Sequence, residues 1–186
     1  MDVPIDITTT VLETDRLILR ACQESDLSDF YGYASVDGVG EMAGWNHHES
    51  LEVSRSVLQS FIQDKNIFAI IHKGKNKVIG SLGIQYSWAN TEPDYKNLKL
   101  KELGFVLAKE YWGQGLMPEA AKASIDFCFS ECSLDALTCR HSTTNKRSKR
   151  VIEKCGFKYV KTGGFYSEPF RSTFYGMKYI LFKPFS

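Results

Sequence analysis

The chain has 186 residues, 43% of them hydrophobic and 24% charged, with a formal net charge of +1. That length suits one domain with a substantial core, and the composition is that of a folded globular protein, not a disordered one. Near-neutral charge gives no global electrostatic case for a nucleic-acid or membrane-surface partner.

Met1-Asp2-Val3-Pro4 is acidic with no apolar region after it, so no signal peptide is expected. Leu17 to Ala21 alternates as a strand. Ser25-Asp26 begins a helix through Phe30 and Tyr33, with Ser25 as N-cap. Val36 to Glu49 is glycine-rich and irregular and holds Trp45, His47 and His48. Ser50 caps a helix from Leu51 to about Lys65, with Val53, Val57, Leu58, Phe61 and Ile62 on one face. Ile67 to His72 and Lys77 to Tyr86 are strands joined by a hairpin turn, Lys73-Gly74-Lys75-Asn76. Trp88 to Asn97 reads as a polar loop, and Leu98 to Leu107 as the next strand. A helix from Pro118 to about Cys132 carries Ala121, Ile125, Phe129 and Cys132 at helical spacing. Ala136 to His141 is a strand, and Asn145 to Cys155 is a helix closed by Gly156. Phe157 to Lys161 and Thr173 to Phe182 are the last two strands. No run of about 18 apolar residues occurs, so no transmembrane helix is expected. The five cysteines, Cys22, Cys128, Cys132, Cys139 and Cys155, form no C-x-x-C, so a reducing cytoplasm is the expected setting. The mixed order gives an α/β domain around a partly antiparallel sheet, spanning 1–186 with a core of about 11–182.

The most informative stretch is Leu103 to Ala121, which reads strand, turn, helix. Gly113 and Gly115 permit a tight turn with bare backbone N–H groups on one side. A helix N-terminus fed by such a turn is an anion site, most naturally for phosphate or pyrophosphate. The dinucleotide fingerprint fits poorly, because Pro118 stands at its third glycine, and the Walker pattern is absent.

Trp112-Gly113-Gln114-Gly115-Leu116-Met117 resembles the pyrophosphate loop of the GNAT superfamily of N-acetyltransferases, R/Q-x-x-G-x-G/A. Trp112 and Met117 depart from that pattern. Trp at the first position is common in the ribosomal-protein alanine/serine N-acetyltransferase-like branch. Three further segments resemble that branch in the right order. Thr14-Asp15-Arg16-Leu17-Ile18-Leu19-Arg20 is similar to its opening strand. Glu102-Leu103-Gly104-Phe105 is similar to its E-I-G-Y strand. Asn145-Lys146-Arg147-Ser148, with Glu153-Lys154-Cys155-Gly156-Phe157, is similar to its N-x-x-S…E-K-x-G-F helix.

The resemblance implies a mostly antiparallel sheet flanked by helices. In it the strands ending at Leu107 and near His141 splay apart, and the pantetheine arm of acetyl-CoA lies between them. It implies transfer of acetyl from acetyl-CoA to an amine, either a protein N-terminus or a small molecule such as a polyamine or antibiotic. A non-catalytic acyl-CoA sensor is the alternative. It also implies that the loop residues Trp112, Gly113, Gln114, Gly115, Leu116 and Met117 hold the pyrophosphate. Phe105, Val106 and Leu107 would offer backbone groups to the pantetheine, with the polarising N–H near Val106. Asn145 is an N-cap by its position and a pantetheine contact by the resemblance. Of the basic run Lys146, Arg147, Lys149 and Arg150, a solvated face is the ordinary reading, and Lys149 is the candidate for reaching phosphate.

The family's tyrosine acid would stand seven residues after Asn145, where this chain has Ile152, which donates no proton. Ser148 is the substitute thiolate donor, or a plain surface serine. Glu102 matches a general-base position, with Glu168 as its rival. No metal is expected, because adjacent His47 and His48 rarely converge on one ion and no Cys or carboxylate motif joins them. They read as loop residues that line the acceptor cleft with Trp45. Monomer and homodimer remain equally open.

Overall fold

The computed structural model describes residues 1–167 and 171–184. Eight strands form one sheet in the order β1-β2-β3-β4-β5-β6-β8-β7. They are β1 (Val11–Glu13), β2 (Leu17–Ala21), β3 (Ile67–His72), β4 (Lys77–Gln85), β5 (Leu100–Leu107), β6 (Ala136–Ser142), β7 (Lys158–Ser167) and β8 (Ser172–Phe182). Four helices pack on them: α1 (Leu27–Ala34), α2 (Leu51–Asp64), α3 (Leu116–Ser130) and α4 (Lys146–Lys154). Every strand pairing is antiparallel except β5 with β6.

That parallel pairing is short. It joins Leu100 to Ala136, Lys101 to Leu137 and Glu102 to Thr138, and stops. Both strands run on, β5 to Leu107 and β6 to Ser142, without a common ladder. The sheet therefore forks just beyond Glu102. This is the splayed pair that the family resemblance implies. Side chains alternate across the strand. Leu103 and Leu107 enter a core with Leu116, Ala120, Leu137 and Ile152 under α3 and α4. Val106 lies on the opposite face against a second core containing Phe30, Tyr33 and Leu58 from α1 and α2.

Several elements differ from the sequence reading. β1 is added at the edge, too short for alternation to mark it. Ser25 is not the cap of α1. It sits in a 3₁₀ turn, Glu24–Asp26, where Asp26 accepts the Gln23 N–H at 2.8 Å and pairs with Arg20 at 2.7 Å. On α2 Val53 is 43% exposed, and Ser54, fully buried, takes the inward position by bonding the His48 ring at 2.7 Å. Trp88 to Asn97 holds two 3₁₀ turns, and Trp88 and Ala89 are buried. α3 begins at Leu116, so Pro118 is its third residue, still within the first turn, where its missing N–H costs no bond. Glu168 lies outside the described residues. Among the described residues no helix is long and apolar enough to cross a membrane.

Candidate functional site

A cavity of about 290 Å³ opens at the mouth of the fork, lined from β5, the glycine turn, α3, α4 and the loop after α1. The turn and helix supply its polar end. Gly113 and Gly115 both adopt φ +77°, the left-handed region in which glycine alone is unstrained. A Cβ on Gly113 would meet nothing within 4 Å, and one on Gly115 only the Arg16 Nη2 at 3.6 Å. Gly115 is also the N-cap of α3 and has no side chain to satisfy the helix donors. Among the described residues the N–H groups of Gly113, Gln114, Gly115, Leu116 and Met117 donate to no protein acceptor. Five unclaimed donors at a positive helix end offer a cradle suited to a pyrophosphate. Gln114 turns its side chain away, its Nε2 donating to the Glu110 carbonyl at 2.8 Å, and contributes backbone only.

The T-x-R-L segment, whose role the sequence left unassigned, braces this turn. Glu119 accepts from Thr14 Oγ1 at 2.5 Å, from the Arg16 N–H at 2.9 Å and from Arg16 Nε at 2.7 Å. Arg16 Nη1 also donates to the Gln114 carbonyl at 3.0 Å. Burial raises the Glu119 carboxyl, but these donors outweigh it and hold the group below its usual value.

Backbone direction decides which part of β5 faces the gap. Along a strand, successive N–H and C=O groups point to opposite edges. Lys101 and Leu103 accept from Thr138 and Cys139 side chains on β6, whereas the Ala108 N–H donates to Ile79 of β4. The odd-numbered residues thus face the gap. Leu103 is engaged there, and the Leu107 carbonyl accepts the Trp112 indole N–H at 2.7 Å. Phe105 is left with an unladdered N–H and C=O on the open edge. This corrects the expectation that placed the polarising N–H near Val106, whose backbone is committed to Ser81 of β4.

α4 forms the other wall. Asn145 is its N-cap, with Oδ1 accepting the Ser148 N–H at 3.1 Å, and its Nδ2 donates across the cleft to the Met42 carbonyl at 2.8 Å. Ser148 lines the cavity, and its hydroxyl has no partner among the described residues. Lys149 does not line it. At about 100° per residue it lies roughly 200° around the helix from Arg147, and it pairs with Glu153 at 3.7 Å. Arg147, Arg150 and Lys154 line the cavity instead, with Arg147 stacked 4.5 Å from the Trp112 ring centroid. Burial of Ile152 sets that phase. The i, i+3, i+7 spacing of these three cations was the signal available in the sequence.

Glu102 does not line this cavity. It sits at the fork, 5% exposed, with Oε1 2.9 Å from Arg140 Nε and Oε2 near the Trp88 N–H and the Thr138 hydroxyl at 3.5 and 3.4 Å. Burial raises its carboxyl above the usual range, and Arg140 opposes that only in part. Across the opening, the loop carrying Val39, Met42 and Ala43 is held by Glu41. It accepts the Gly38 N–H at 2.8 Å, the His47 N–H at 3.0 Å and the His47 ring at 2.8 Å. Burial raises the Glu41 carboxyl, but these hydrogen bonds outweigh it and bring it to about 2. His47 lies with the Glu41 and Asp37 carboxylates, their ligand atoms within 4.8 Å of one another, a grouping that the sequence alone did not mark. His48 is buried against Phe30 and Trp45, so it braces the loop from behind.

A forked sheet with a free backbone edge in the gap and an anion cradle at its mouth defines an acetyltransferase of the GNAT class. The chain belongs to that family: the acetyltransferase (GNAT) domain model matches residues 16–158. The uncharacterised N-acetyltransferase YoaA of Bacillus subtilis (strain 168) is 28% identical over 152 residues, covering 79% of this chain and 82% of that protein. YkkB of the same organism, also uncharacterised, is 27% identical over 165 residues, covering 82% and 88%. Among solved structures, a GNAT-family acetyltransferase from Bacillus anthracis superposes with a TM-score of 0.80 at 19% identity, over 93% of this chain and 98% of that one. The ribosomal-protein-S5-alanine acetyltransferase of Vibrio fischeri superposes with 0.71 at 20% identity, over 94% and 100%. At these identities the superpositions establish the fold.

Proposed function

We propose that the protein transfers the acetyl group of acetyl-CoA to an amine. The observation that carries this is the continuity of one cavity from the free Phe105 edge to the five unclaimed donors of Gly113 to Met117. The turn binds the pyrophosphate, with Arg147 and Arg150 adding charge. The Phe105 N–H and C=O pair with the pantetheine amides as an added strand would. Acetyl-CoA supplies the thioester whose carbonyl the amine attacks. In the exchange a C–N bond forms, the C–S bond breaks, and the amine loses one proton while the thiolate gains one. Glu102, raised by burial, is the residue suited to take the amine proton, directly or through water. Ser148, with its free hydroxyl, is the donor to the thiolate. A free α-amine with a pKa of about 7.7–8.0 makes a lighter demand on such a base than a lysine amine at about 10.4. All five cysteines are free, which suits a reducing cytoplasm. Calorimetry with acetyl-CoA, followed by an assay of CoA thiol release over an amine panel, tests the reading. Binding with turnover is expected, binding without turnover on any amine would favour a sensor, and absence of binding would overturn the assignment.

A further inference from the structure

The face of the fork opposite α3 and α4 carries charge that the acetyl-CoA cavity does not use. The register sets Arg140 of β6 opposite Lys178 of β8, and Lys178 opposite Lys161 of β7. Three cations therefore run side by side across three neighbouring strands. Thr138 pairs with Glu102, so alternation puts Arg140 and its row on the Glu102 face. The Trp88 ring, 8% exposed, lies against the row, with Lys178 Nζ 5.0 Å and Lys161 Nζ 5.7 Å from its centroid.

The compensation is incomplete. Arg140 is paired with Glu102, and Lys161 with Glu92 at 2.7 Å. Among the described residues no carboxylate lies within 4 Å of Lys178; its Nζ lies over the face of Trp88, and its charge reaches Glu102, whose carboxyl it helps to lower. Like charges directly opposite on adjacent strands repel, so an anion seated beside Lys178 would relieve the repulsion along this row. Beside it Gln85 stands in register with Glu102, and its side chain covers the Gly83–Gly104 pair, a Cβ on Gly104 meeting the Gln85 amide oxygen at 3.4 Å.

Resting on the acetyltransfer reading, we infer that the acceptor is an amine bearing an anionic group, carboxylate or phosphate, near its nitrogen, which Lys178 binds with Arg140 while the amine faces Glu102. The same field repels a polyamine or an aminoglycoside. Lys178 here is a binding residue for the acceptor and takes no part in the bond changes.

Matched acceptors test this in the CoA-release assay: an amino acid against its amide, O-phosphoethanolamine against ethanolamine, and spermidine as polycation. The anionic member of at least one pair is expected to exceed its neutral partner about ten-fold or more in kcat/KM, as charge-assisted bonds allow. Which pair responds separates carboxylate from phosphate. Lys178→Met, which keeps a long side chain on Trp88, is expected to raise the KM of the anionic acceptor about ten-fold. The effect on the neutral partner should be clearly smaller, acetyl-CoA affinity should stay unchanged, and Lys178→Arg should restore the preference. Equal use of acid and amide, preference for spermidine, or an equal loss on both partners in Lys178→Met would overturn the inference. Calorimetry of the same acceptors on the CoA-loaded protein separates the two readings. Anion-selective binding without turnover would sink acetyl transfer and leave the anion site standing; turnover without anion selectivity would do the reverse.

Discussion

At the scale of single residues, Glu102 and Ser148 answer to different tests because they meet different surroundings. A base works only when ionised, and burial lifts the Glu102 carboxyl above the ordinary range. Activity is therefore expected to fall on the acid side at a higher pH than an exposed glutamate, with a pKa of about 4.3, would give. Glu102→Gln should lower kcat/KM most at low pH and recover partly as pH rises and the amine deprotonates unaided. Gln keeps an acceptor for the Trp88 N–H, so the fold should survive. Wild-type rates from about pH 6 to 9 would reject Glu102 and leave Glu168 as the base. Ser148 has no structural bond to lose through its hydroxyl, since its N–H makes the contact with Asn145. Ser148→Ala should leave stability and acetyl-CoA affinity intact and lower kcat about ten- to a hundred-fold. An unchanged kcat with chemistry rate-limiting would remove it from the mechanism.

At the scale of elements, the start of α3 is a cradle held in shape from outside. Its donors are usable because Gly115 occupies the left-handed region without strain and because Arg16 and Thr14 fix Glu119 and the Gln114 carbonyl. Arg16→Ala removes the brace, and Arg16 is not itself among the residues that line the cavity. It should weaken acetyl-CoA binding about ten-fold and leave the acceptor KM unchanged; equal affinities by calorimetry would show that the turn holds itself. The loop after α1 is fixed in a comparable way. Asn145 reaches Met42, Lys109 reaches the Asp37 carbonyl, and Glu41 gathers His47. That wall of the cavity thus depends on contacts from α4 and from the turn after β5.

At the scale of the whole molecule, acetyl-CoA would bind where the two halves of the sheet separate, touching β5, α3 and α4 at once. Such a ligand stabilises only the folded state. At a hundred times its Kd the gain is about 2.7 kcal/mol, which for a protein of this size raises Tm by roughly 5–10 °C. Scanning calorimetry should show that rise for the wild type and lose it in Gly115→Val. There a β-branched side chain in the left-handed region costs roughly 1–2 kcal/mol and moves the turn. A rise of equal size in the variant would show that the turn is not the phosphate site.

How far the chain could be read without its fold follows from the range of the forces involved. The Gly113/Gly115 turn, the Ser50 and Asn145 caps and the hairpin between β3 and β4 were legible. Each depends on φ preferences and hydrogen bonds within a few residues. The fork was legible only through the family resemblance, since no local pattern says where a parallel ladder ends. The tertiary structure decided the rest. Burial of Ile152 rotated α4 so that Arg147 and Arg150, not Lys149, face the cavity. The odd–even phase of β5 against β4 put the Phe105 backbone in the gap. Arg16 reached Glu119 across 103 positions, and the register of β6, β8 and β7 assembled the row around Lys178. Partners that far apart in the chain are chosen by packing and register, which no window of neighbouring residues encodes.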